Sequence, residues 1–134
     1  MRYLLDTNTI SHLMRANPIT LGHLSQCGEN QVFVSAISEA EIEFGLVKNS
    51  SPRLRRAVEA FWVNVTVLDL TSKTAVYYGS LRAQLESSGQ PMSPLDTLIA
   101  ATALEHSPAD MVLVTNDHAF ARVPKLRVED WVSQ

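Results

Sequence analysis

The chain opens on a short apolar run that stops in a carboxylate, Arg2-Tyr3-Leu4-Leu5-Asp6, with the polar pair Thr7-Asn8 directly behind it. Such a run at the start of a chain reads as a buried strand. A carboxylate just past a buried strand stands at the carboxyl edge of a sheet, where open α/β folds place their ligands. The remaining elements decide whether other acids join it there.

Thr9 to Ala16 carries Ile10, Leu13 and Met14 at helical spacing, with Pro18 beyond its end. A second helix is expected over Ile19 to Cys27, closing near Gly28. Gln31 to Ser35 is the second strand, rich in β-branched and aromatic residues. Ser38 reads as the N-cap of the next helix, with Glu41 three places on, and that helix runs to about Asn49. If Ala40, Phe44 and Val47 mark its buried stripe, Ile42 and Leu46 lie on a far face that needs a second partner, whether this domain, a second subunit or another protein. Ser51-Pro52 opens a helix that buries Leu54, Ala57, Val58 and Phe61 and turns Arg53, Arg55 and Arg56 outward. Val63 to Leu68 is the third strand. Thr71 caps a long helix ending at Gly89, and Ser93-Pro94 starts an alanine-rich one over Leu95 to Glu105. Met111 to Thr115 is the fourth strand, Asn116-Asp117 a turn, His118 to Ala121 a short helix and Leu126 to Val128 an edge strand.

Strands separated by helices imply βαβ units, so the expected fold is three-layer α/β/α around a mainly parallel sheet of four to five strands. At 134 residues a single domain over 1–134 suffices, large enough for its own core. A helix that follows a strand starts at that strand's carboxyl edge, and so does one that directly precedes a strand. Asp6, Glu41, Asp96 and Asp117 therefore fall at one edge. Four converging carboxylates repel unless a cation intervenes. Hard oxygen donors suit Mg²⁺ or Mn²⁺, and the matching chemistry is phosphodiester hydrolysis. Each acid also has a local reading. Asp6 fits an Asx-turn or N-cap, Glu41 a capping box with Ser38, Asp96 the dipole of its helix, and Asp117 a turn. Periodicity leaves the choice among Glu39, Glu41 and Glu43 open.

The net charge of −3 argues mildly against a nucleic-acid binder, although a bound cation would offset much of it. With Cys27 as the only cysteine, neither an internal disulfide nor a cysteine cage is possible. No segment approaches the roughly 18 apolar residues of a membrane helix, so no membrane association and a cytoplasmic location are expected. The four histidines show no ligand spacing, and no glycine-rich phosphate loop is present.

Four blocks stand out in order: Leu4-Leu5-Asp6-Thr7-Asn8; Ser35 to Gly45; Gly89 to Asp96 running into Leu98-Ile99-Ala100-Ala101; and Leu113 to Asp117 with Phe120, Arg122, Val123, Pro124 and Leu126. In these blocks the chain resembles the PIN-domain family and, within it, the VapC-type toxins, with Glu41 in the acid position of the second. The chain departs from the pattern at Leu95, where many relatives carry a polar residue, and in the extra acids Glu39 and Glu43. The resemblance implies a single PIN-like domain working as a Mg²⁺- or Mn²⁺-dependent endoribonuclease, the toxin of a bacterial toxin–antitoxin pair, with tRNA as a substrate. Asp6 and Asp96 would be the principal metal ligands and Glu41 and Asp117 would assist, supported by Thr7, Asn8 and Thr115. It also implies a homodimer and a cognate antitoxin whose tail covers the crevice. Surfaces nominated for that partner are the Ile42 face and the Leu54 to Trp62 helix. RNA would be held by Arg53, Arg55, Arg56 and Arg82. The competing expectation is a PIN-like module that binds RNA or protein without cutting it.

Overall fold

The computed structural model describes residues 1–134. Five strands form one parallel sheet in the order β3-β2-β1-β4-β5: β1 Arg2–Leu5, β2 Val32–Ser35, β3 Thr66–Leu68, β4 Met111–Val114 and β5 Val128–Glu129. The helices between them are α1 Thr7–Met14, α2 Pro18–Ser25, α3 Ala36–Lys48, α4 Pro52–Val63, α5 Ser72–Ser87 and α6 Pro94–Glu105. Short 3₁₀ turns occupy Ser107–Ala109 and His118–Arg122.

Strand alternation sorts the core into two layers. Leu4, Phe33 and Leu113 point to one face and meet Leu81 and Leu85 of α5 and Ile99, Ala100 and Ala103 of α6. Leu5, Val32, Val34 and Val114 point to the other, where α1, α3 and α4 contribute Ile10, Leu13, Ile42, Leu46, Val58 and Phe61. This is the expected α/β/α sandwich. The alanines of α6 bring its backbone near β4, which sets the position of Asp96 at its first turn. Gly89, at φ +72°, closes α5 in the left-handed conformation that glycine adopts without strain. No helix is long and apolar enough to cross a membrane.

Three local expectations are corrected. The cap of α3 is Ser35, whose Oγ accepts the Ser38 N–H at 3.1 Å; Ser38 lies inside the helix and Glu41 in its second turn. There is accordingly no capping box between Ser38 and Glu41. Ser35 also closes β2, paired with Leu68 of β3, so the helix starts directly at the end of the strand. The stripes of α3 are also exchanged. Ile42 and Leu46 are buried against the domain, while Phe44 and Val47 are 67% and 76% exposed and Ala40 is exposed too. Both stripes are apolar, so only the phase set by the Ser35 cap distinguishes them. Finally, α4 runs through Val63 and β3 begins at Thr66, because the helix keeps Val58 and Phe61 in the core until Asn64 ends it; Ala57 of that helix is exposed.

Candidate active site at the carboxyl edge of the sheet

Adjacent strands β1 and β4 end together, with Leu5 opposite Val114. The chain builds outward from β1 through β2 to β3, then returns to lay β4 and β5 on the other side. The switch point of the sheet therefore lies between β1 and β4, the place where such folds leave a crevice. A cleft of about 520 Å³ opens there, and all four sequence-nominated acids line it: Asp6, Glu41, Asp96 and Asp117. Thr7 and Asn8 line it as well. Of the three glutamates that periodicity left open, Glu41 alone lines it; Glu39 and Glu43 do not.

Asp6 is the most enclosed of the four, 4% exposed at the end of β1. It caps α1, its Oδ1 accepting the Thr9 N–H at 2.8 Å, so its local role and its place in the cleft coexist. Burial pushes its carboxyl above the ordinary range; hydrogen bonds from Thr115 and Thr9 pull it back, and the charge of Asp96 adds to the rise. Asp96 sits half-buried in the first turn of α6, where Ser93 Oγ accepts its backbone N–H at 3.3 Å, and no protein donor engages its carboxylate. Glu41 is held by one bond, from the Thr7 hydroxyl at 2.6 Å. Asp117 is exposed and caps the His118–Arg122 turn through a 2.9 Å bond from Ala119 N–H.

Thr115 ties the two strand-end acids together. It is buried, its hydroxyl bonds Asp6, and its Oγ accepts the Asp117 N–H at 3.0 Å. Asn8 Nδ2 donates to Asn116 Oδ1 at 2.6 Å, bridging the starts of the two exits from the sheet. Three lining residues were not nominated from the sequence, the polar Ser11 and Asn116 and the apolar Ile99. Ser11 stands one turn beyond Thr7 on α1, a relation visible only once the helix is known to start at Thr7.

A second groove, about 410 Å³, runs from the cleft between α1, α3 and α4 and shares Thr7, Ser11 and Glu41 with it. Met14, Ile42, Leu46 and Leu54 floor it, and Arg53 borders it together with Arg15, which the sequence reading did not single out. Arg55 and Arg56 are exposed on α4 but line neither cavity. Arg82 is engaged on its own helix by Glu86 at 3.4 Å and the Tyr78 hydroxyl at 3.0 Å, and it lines a separate depression.

The donor set in the cleft is carboxylate, amide and hydroxyl oxygen, the chemistry of a hard cation. No three acidic, histidine or cysteine side chains close into a ready cage. Mg²⁺ does not need one, since it keeps several waters and takes one or two carboxylates plus substrate phosphate. A buried Asp6 beside the charge of Asp96 is the pairing a cation would relieve. The residues present fit such an ion.

An α/β/α sandwich with an acid-lined cleft at its switch point is the form of a PIN domain, and the family pattern of that description matches residues 3–126. The chain belongs to the PIN-domain family, in its VapC branch. It is 32% identical over 133 residues to the tRNA(fMet)-specific endonuclease VapC of Salmonella typhimurium, covering 98% of both chains. To ribonuclease VapC2 of Haemophilus influenzae it is 34% identical over 136 residues, covering 98% of this chain and 99% of the other. Among solved structures, the crystal structure of VapBC2 from Rickettsia felis bound to a DNA fragment from their promoter matches with a TM-score of 0.88 at 29% identity. That match covers 98% of this chain and 99% of that one.

Proposed function

We propose that this chain, as a single PIN-like domain over 1–134, is a Mg²⁺- or Mn²⁺-dependent endoribonuclease acting as the toxin of a toxin–antitoxin pair. The observation that carries the reading is the convergence of Asp6, Glu41, Asp96 and Asp117, from four separate elements, on one cleft. The VapC relatives, named as ribonucleases, support the same chemistry. Asp6 and Asp96 would hold the cation, with Glu41 and Asp117 assisting from the cleft walls. When bound, the ion supplies a water of lowered pKa and offsets charge growing on the phosphoryl oxygens. Thr115 keeps Asp6 and Asp117 in register, and Thr7 fixes one oxygen of Glu41. Water adds at phosphorus, one ester P–O bond breaks, and the leaving oxygen takes up a proton.

Transfer RNA is the substrate class we propose, on the name of the Salmonella relative. Arg53 and Arg15, on the groove that shares Thr7, Ser11 and Glu41 with the cleft and in no ion pair, are better sited for phosphates than Arg82. Such contacts position a strand without reading its sequence. A cognate antitoxin is supported by the VapBC complexes among the structural neighbours. Its tail fits the apolar groove that leads to Glu41, with a basic side chain reaching the acids. Phe44 and Val47, exposed one turn apart on α3, support a homodimer as the working form. This enzyme would meet its RNA in the cytoplasm.

The test uses purified protein free of antitoxin, a labelled total tRNA pool, and Mg²⁺ or Mn²⁺ against chelator, beside Asp6→Asn. Discrete fragments that disappear with chelator and with the substitution are expected. A folded protein that binds neither metal nor cuts RNA would instead be a module that binds without cutting.

A further inference from the structure

Ser38 poses a chemical question that its position in the fold does not answer. It lies within α3, fully buried, where alanine would be the better helix former and would bury no polar atom. Its Oγ stands 3.0 Å from Thr7 Oγ and 3.4 Å from Ser35 Oγ, and Thr7 Oγ stands 2.6 Å from Glu41 Oε1.

Counting protons gives these contacts a direction. A carboxylate only accepts, and a hydroxyl carries one proton. Thr7 therefore donates to Glu41 and must accept from Ser38. Ser38, having given its proton to Thr7, accepts from Ser35. Ser35 Oγ in turn accepts the Ser38 backbone N–H at 3.1 Å, the bond that starts α3. The result is a one-way row of hydroxyls, Ser35 to Ser38 to Thr7 to Glu41, in which each donor polarises the next. It begins at the end of β2, crosses from α3 to α1, and returns to α3 one turn further on. The Thr7 bond is the only hydrogen bond the protein makes to the Glu41 carboxylate, so this row is its one polar restraint.

We propose that Ser38 is a positioning residue for the cleft, acting through Thr7 to hold Glu41 in its orientation toward a bound divalent cation. This rests on the metal-dependent reading above. The hydroxyl at 38 leaves Oε2 of Glu41 free to face the cleft and directs Oε1 into the row.

The test is Mn²⁺ binding to the full chain by calorimetry, without RNA, for wild type, Ser38→Ala, Thr7→Val, Glu41→Gln, and the double variants Ser38→Ala/Glu41→Gln and Ser38→Ala/Thr7→Val. Thermal unfolding in chelator runs alongside. Ser38→Ala should weaken Mn²⁺ binding about 10-fold, as loss of an outer hydrogen bond to a metal site does. It should add nothing once Glu41→Gln or Thr7→Val is already present. Equal binding by wild type and Ser38→Ala would overturn the assignment while leaving the metal site standing. So would a Ser38→Ala loss of the same size in the Glu41→Gln background, since that is the mark of a purely structural serine. Wild type that binds no Mn²⁺ would overturn the metal-dependent reading and this assignment with it.

Discussion

At the scale of single residues, Asp6 carries two roles whose energetics oppose each other. Its Oδ1 caps α1, which stabilises, while its buried charge beside Asp96 destabilises. Asparagine preserves the cap oxygen and removes the charge. Asp6→Asn should therefore abolish cleavage and, in chelator at neutral pH, raise Tm by roughly 2–4 °C, the shift of about 1 kcal/mol in a chain of this size. Differential scanning calorimetry reads it, and a lower Tm would mean that the charge is already well accommodated. Asp6, Asp96 and Asp117 were legible in the sequence because each stands where an element ends or begins, whereas Glu41, in the second turn of α3, was singled out from Glu39 and Glu43 only by the family resemblance. Thr7, Asn8 and Thr115 came only with the family resemblance, because a hydroxyl or amide beside an acid has no periodic signature. Arg15 and Ser38 needed the coordinates, since their partners lie on other elements.

Among the elements, α3 was hardest to read from sequence for a reason that can be stated. Ser35 and Ser38 stand three apart, and each is followed three residues later by a polar side chain. The backbone turns helical directly after Ser35, whose Oγ takes the Ser38 N–H, and this is what makes Ser35 the cap. Once the cap moves, the buried stripe rotates from Phe44 and Val47 to Ile42 and Leu46. By contrast, α5 and α6 were plain, because Thr71, Ser93-Pro94 and Gly89 are stop and start signals that no competing residue imitates. The end of α1 yields a prediction of its own. Ala16 follows that helix at φ 58°, a left-handed conformation costing an L-residue about 1–2 kcal/mol. Glycine avoids that cost but loses about 0.5–1 kcal/mol in chain entropy. Ala16→Gly should gain about 0.5–1 kcal/mol, seen as a higher urea midpoint at unchanged slope. An unchanged or lower midpoint would show that the turn relaxes in solution.

Across the whole molecule, the segment past the matched 3–126 region still belongs to the core. Trp131 is buried, stacks on His23 at 5.3 Å, meets Tyr3 at 5.1 Å, and accepts at its carbonyl a 2.9 Å bond from Thr20. It pins α2 to the start of β1. Trp131→Ala should cost about 3–5 kcal/mol, measured by denaturant unfolding. A loss under about 1 kcal/mol would mean that the tail is only loosely docked.

At the same scale, a cation held in the cleft would couple folding to metal binding. Without a cation, the raised carboxyl of Asp6 binds protons more readily in the folded chain than in the unfolded one. Between the ordinary value of 3.8 and the raised one, stability contributed by Asp6 therefore falls as pH rises. Above that window the penalty is constant. A cation favours the carboxylate form, so its stabilising effect should grow with pH over the same window. At about 100 times its dissociation constant it should contribute about 2.7 kcal/mol. Other groups titrate as well, so the quantity to follow is the Tm of wild type minus that of Asp6→Asn. In chelator the difference should become more negative from acid toward neutral pH. With Mn²⁺ it should turn positive, because only the wild type keeps the charge that holds the ion. A difference unchanged by Mn²⁺ would remove Asp6 from the metal site, whatever nuclease activity the protein retained.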